Sequence, residues 1–234
     1  MCAGDVRFEF LDASAGQLTA VVLHHGEALR WGGWESDALL TDGRLLLLWL
    51  DGHGAPGPLR EFEEAERRRE RAQQEAAHWR AAMPTALDDL ADRLLSLSQS
   101  GERASPDLLN GLRERLEPAF PDPVARALAL LAWCGAGSGR CSGFPLHEEV
   151  PGLLLKDVPI TEIVASLQDL RADSPHYAGA VRHLVGWKSR RKQKKDIAAI
   201  PETVRIHLLQ EARTSGDHDK QARAERWLAP TRAR

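Results

Sequence analysis

Asp51-Gly-His-Gly-Ala-Pro-Gly-Pro58 is the stretch on which the reading of this chain turns. Its glycines and prolines interrupt helical and strand periodicity alike, and the hydrophobic pattern changes across it. Upstream, Val6-Arg7-Phe8-Glu9-Phe10 alternates apolar with polar residues, and Leu18 to His24 is rich in β-formers. Arg44 to Leu50 is a short apolar run bounded by Asp42-Gly43 and Asp51-Gly52, which reads as a further strand. Gly26, Gly32-Gly33 and Asp42-Gly43 supply the turns between the runs. We therefore expect three to five short strands in an antiparallel meander over residues 1–57, ending in the linker.

Downstream, apolar residues recur every three to four positions. Leu59 to Met83 carries a thin stripe of Phe62, Ala65, Ala72, Ala76, Trp79 and Met83 beneath a charged surface. Pro84 ends it, and Thr85 to Ser98 follows as an amphipathic helix. Ser105-Pro106-Asp107 caps a helix over Leu108 to Leu116, and Pro121-Asp122-Pro123 opens an apolar one over Val124 to Trp133. After a glycine-rich loop, residues 135–149, two helical hairpins follow over 159–187 and 201–228. Their period, from Pro159 to Pro201, is about 42 residues, within the range of HEAT and armadillo units; a plain helical bundle is the alternative. The expected fold class is α+β: a small N-terminal β-meander, then a mostly α-helical domain over 58–234, divided as helices over 58–134, the loop over 135–149 and helical hairpins over 150–234.

Composition narrows the function classes. Hydrophobic residues are 43% and charged residues 28%, the balance of a globular protein. The longest apolar stretch, Leu45 to Leu50, is too short for a bilayer, and Met1 to Phe10 has neither the pattern of a secretory signal nor that of a transit peptide. We expect a cytoplasmic protein without membrane insertion. Cys2, Cys134 and Cys141 cannot build a disulfide framework and read as thiols. Lysine is nearly replaced by arginine, the bias of a GC-rich bacterial coding sequence. Against that bias, Lys188-Ser-Arg-Arg-Lys-Gln-Lys-Lys195 gathers four of the chain's six lysines. Net charge is −5 over residues 1–57 and +7 over 186–234.

Chemical motifs are sparse. Gly135, Gly137 and Gly139 follow a helix, where a dinucleotide fingerprint needs a strand before it, and no phosphate-loop signature is present. Cys134, Cys141 and His147 are zinc-type ligands without a fourth partner at diagnostic spacing, and Glu75-Ala-Ala-His78 lacks the second copy that a di-iron bundle needs. His24 and His25 fall on opposite strand faces. Asp217-His-Asp219 reads as a helix cap. No catalytic residue, metal site or cofactor is expected; Arg140, His147, Glu148 and Glu149 form the nearest thing to a catalytic constellation.

The expectation is thus a non-enzymatic protein-interaction module: an adaptor, accessory subunit or immunity-type inhibitor. Its partner-binding loop would use Gly137, Gly139, Arg140 and Phe144. Trp31 and Trp34 flank a glycine pair and are expected to be exposed, while most of the other five tryptophans are expected in the core. Two alternatives are kept. One is a nucleic-acid-associated protein that uses the basic patch of Lys188, Arg190, Arg191, Lys192, Lys194 and Lys195; the other is an enzyme of unrecognised type.

Overall fold

In the computed structural model, which describes residues 6–138, 145–186 and 190–228 (190–193 by backbone alone), a four-stranded antiparallel sheet is followed by helices. The chain divides into two compact units, Met1–Gln73 and Gln74–Arg234.

In the first unit, β1 (Val6–Leu11), β2 (Gln17–His24), β3 (Ala28–Trp31) and β4 (Ala38–Leu39) lie in sequence order. The meander is therefore present, and its turns follow from local chemistry. Asp12 accepts hydrogen bonds from the Ser14 and Gly16 amides and the Ser14 hydroxyl, closing the β1–β2 loop. His25 and Gly26 both have positive φ and, with Glu27, whose amide donates to the His24 carbonyl, make the three-residue connection from β2 to β3. Register sets Val6 opposite Leu23, Phe8 opposite Val21 and Phe10 opposite Thr19, so one sheet face is apolar.

The expected strand over Arg44 to Leu50 is instead helix α1 (Gly43–Gly52). Asp42 accepts the Leu45 amide and starts it, and a run of leucines with no β-branched residue favours helix once capped. A short apolar run has the same appearance in either state. Leu47 and Leu50 point inward and form, with Leu23, the buried core of this unit. Val6, Phe8, Leu29, Leu59 and Phe62 pack against them. Of the expected linker Asp51–Pro58, only residues 53–56 lie between helices, because α1 runs to Gly52 and α2 (Gly57–Ala81) begins at Gly57.

The second unit is helical throughout its described residues. Thr85 to Ser98 is not one helix: Thr85–Leu90 is a 3₁₀ segment and α3 (Ala91–Ser100) follows it. Next come α4 (Pro106–Ala119), α5 (Pro123–Gly135), a 3₁₀ turn at Leu146–Glu148 and α6 (Glu149–Leu155). The chain continues through α7 (Ile160–Gln168), α8 (Ser174–Leu184), α9 (Arg190–Ala198), α10 (Glu202–Thr214) and α11 (His218–Leu228). Ser105 caps α4 and Asp122 caps α5 through their side chains, and Asp217 accepts the Asp219 and Lys220 amides at the start of α11. The central helix is α5, with α6, α7 and α8 packed around it; α10 lies against α8 and α11. Thirty residues form one continuous core, with Trp79 and Trp133 fully buried.

Candidate interaction surface

Glycines at the end of α5 turn out to serve packing. A Cβ on Gly135 would lie 2.0 Å from the Pro175 carbonyl oxygen, and one on Gly179 would lie 1.9 Å from that of Leu131, so both positions let α5 and α8 touch backbone to backbone. A Cβ on Gly137 would strike the Arg182 guanidinium. That guanidinium bonds Glu148 at 2.6 Å and the Cys134 carbonyl at 3.3 Å, and the Glu148 and Arg182 side chains are 1% and 9% exposed. Glu148 also accepts the Ser138 amide and hydroxyl, both at 3.0 Å. The anion met by this backbone amide is the chain's own carboxylate.

Beside this latch, the Ser98 hydroxyl lies 2.7 Å from His147 Nδ1 and accepts the His147 amide at 3.1 Å. The His147 ring stands edge-on to Trp79, which in turn packs against Trp133. Burial holds the His147 pKa below the ordinary histidine value; Glu148 opposes that shift and Arg182 adds to it. His147 Nε2 and the indole nitrogens of Trp79 and Trp133 are buried without a hydrogen-bond partner among the described residues.

Adjacent in sequence, His147 and Glu148 thus point to different partners, and both are engaged within the fold. A shallow cleft of about 410 Å³ lies nearby, lined by Gln74, Glu75, His78 and residues 135–138, and neither His147 nor Glu148 lines it. Glu75 and His78 are exposed. Among the described residues, no group of three or more His, Cys, Asp or Glu side chains could hold a metal ion, and no helix is long and apolar enough to cross a membrane.

Of the expected loop residues, Gly137 packs on the latch, whereas Gly139, Arg140 and Phe144 lie outside the described residues. So do Cys2, Cys141, Trp187 and Lys188. Arg190, Arg191 and Lys192 fall in the first turn of α9, and their side chains are likewise outside the description; Lys194 and Lys195 are exposed on that helix.

The first unit presents a different surface. The Trp31 and Trp34 rings are exposed and meet edge to face at 5.8 Å. Trp31 donates its indole N–H to the Thr19 hydroxyl and lies over Gly33, where any Cβ would collide with the ring. Both rings thus stay in solvent, with Trp31 tied to Thr19. On α1, Leu45, Leu48 and Trp49 are 64%, 45% and 53% exposed. Their i, i+3, i+4 spacing makes one outward stripe, opposite the stripe of Leu47 and Leu50. Trp79 and Trp133 are fully buried, whereas Trp49 is not among the tryptophans of the core.

Reasoning from sequence missed this stripe because strand geometry groups Leu45, Leu47 and Trp49 on one face, whereas helical geometry sends Leu47 inward and its two companions out. The charges flanking the stripe are acidic. Asp42 and Asp51 are exposed at its two ends, while Arg44 is taken up by Glu63 and Glu66 at 3.1 and 3.5 Å. Compared with family models, curated proteins and solved structures, the chain matches none.

Proposed function

We propose that the chain is a protein-interaction module whose docking surface is the outward face of α1. The observation that carries this reading is the stripe of Leu45, Leu48 and Trp49, left in solvent by a helix whose opposite side is already packed. A surface helix normally shows water a polar face, and apolar side chains that lie contiguous in solvent are a common feature of interaction sites. The acidic ends at Asp42 and Asp51, with Arg44 neutralised internally, select a partner segment carrying both aliphatic and basic side chains. The exposed Trp31–Trp34 pair supplies a second anchor of the kind that dominates binding energy at interfaces.

Selection from a random-peptide display library tests the reading. Wild-type protein should enrich peptides that combine Lys or Arg with Leu, Ile or Phe at helical spacing, and counterselection against a Leu45→Gln, Leu48→Gln, Trp49→Gln variant should leave them unbound to it. Enrichment that survives those substitutions, or no enrichment at all, overturns it.

Nucleic-acid binding through α9 is supported by the exposed Lys194 and Lys195 within a helix that also holds Arg190, Arg191 and Lys192. Affinity for DNA or RNA would then fall steeply with salt and vanish on reversing the charges at 194 and 195. An absence of binding at low salt removes this alternative. The catalytic reading loses support, because His147 and Glu148 are engaged in separate internal bonds.

A further inference from the structure

Strand β1 is an edge of the sheet: β2 pairs with one side of it, and among the described residues no strand pairs with the other. Val6, Phe8 and Phe10 lie on the apolar face, with Phe10 more than half exposed. Arg7 and Glu9 lie on the opposite face, in an exposed ion pair at 2.9 Å. A strand with unpaired backbone groups and half-exposed apolar residues is a template for another strand. Nothing in this sequence blunts it with proline or lysine.

We infer that β1 pairs antiparallel with β1 of a second copy of this chain, about a two-fold axis through Phe8. Charge and facing select this register. With Phe8 opposite Phe8, Arg7 of each copy meets the second copy's Glu9, and Val6 meets the second copy's Phe10. Sliding by two residues in either direction sets Arg7 against Arg7 or Glu9 against Glu9, which is repulsive directly across a ladder. Sliding by one residue turns the apolar face of one copy onto the polar face of the other. The self-complementary pattern Val-Arg-Phe-Glu-Phe thus fits an isologous contact, in which each interaction occurs twice. A single six-residue edge falls in the small-interface class, so the association is weak and grows with concentration. This inference is independent of the α1 surface, which lies on another element.

Sedimentation equilibrium over rising concentration, on the full chain, decides it. The wild-type weight-average mass should climb from one copy toward two. Arg7→Glu alone and Glu9→Arg alone, each shown by circular dichroism to retain the wild-type fold, should stay at one copy. An equimolar mixture of the two should regain wild-type association, because each strand then meets opposite charges across the two-fold. Wild type that remains monomeric, single variants that associate as wild type does, or a mixture that fails to associate each overturn the inference. Should either variant misfold, amide exchange of wild-type Arg7 to Glu9 takes its place: protection rising with concentration supports the pairing, and unchanged protection overturns it. Leu48→Gln, Trp49→Gln should leave self-association unchanged, which separates a failure here from a failure of the α1 reading.

Discussion

The two units bury their apolar residues to very different degrees. The second closes thirty of them into one core, whereas the first closes three and leaves nine large apolar side chains in solvent, out of eleven such exposed residues described. Packing is spent inward in one unit and offered outward in the other. Polar groups follow the same division. The glycine-rich loop of the second unit satisfies its own buried carboxylate, while each arginine of residues 6–57 pairs with an acid and leaves Asp42 and Asp51 exposed beside the apolar stripe. The unit with the motif-like loop thus meets its polar groups internally, whereas the smaller unit leaves the apolar stripe of α1 in solvent.

The largest effect should come from breaking the latch of the inward-facing unit. Glu148→Ala strands the Arg182 guanidinium without its carboxylate partner in the core and should cost about 3–5 kcal/mol. Thermal unfolding would read this as a midpoint lower by on the order of 10 °C. Gly137→Ala should act in the same direction, since the added methyl occupies the space of the guanidinium. Replacing both charges together, Glu148→Leu with Arg182→Met, should recover part of the loss.

Next in size is Leu47→Ala in the outward-facing unit, expected to cost about 2–4 kcal/mol through the cavity it leaves. Because that core has three buried members, the damage should register as faster amide exchange across β1 to β3.

A smaller effect concerns pH. His147 is held below the ordinary histidine value, chiefly by burial, so the unfolded chain takes up its proton before the folded chain does. Its contribution to stability is full above about pH 6.5 and is lost as pH falls through the lower folded value. Urea unfolding midpoints from pH 7.5 down to 5 should decline for the wild type, and His147→Gln should flatten that part of the decline.

Much of the fold was legible because it rests on local signals. Alternation in Val6–Phe10, positive-φ turn chemistry at Gly26 and the caps Ser105, Asp122 and Asp217 all act within a few residues of their effect. Helix α1 was misread because seven residues of Arg, Leu and Trp carry no period long enough to separate strand from helix, and the deciding contact is one Asp42 side chain. The latch was illegible for another reason: Glu148 and Arg182 stand 34 positions apart, and nothing in Ser174–Leu184 marks its arginine as buried. The signal for the stripe on α1 is nonetheless in the sequence, because Leu45, Leu48 and Trp49 keep i, i+3, i+4 spacing.

A face that serves a partner contributes little to the fold, and the outward face of α1 can be tested for this. Thermal unfolding of the Leu45→Gln, Leu48→Gln, Trp49→Gln variant measures this directly, because glutamine keeps helix propensity while removing the apolar surface. The stripe is exposed, so the midpoint should stay within the shift of about 0.5 kcal/mol typical of surface changes. A loss as large as that of Leu47→Ala would show that the stripe serves the fold and not a partner.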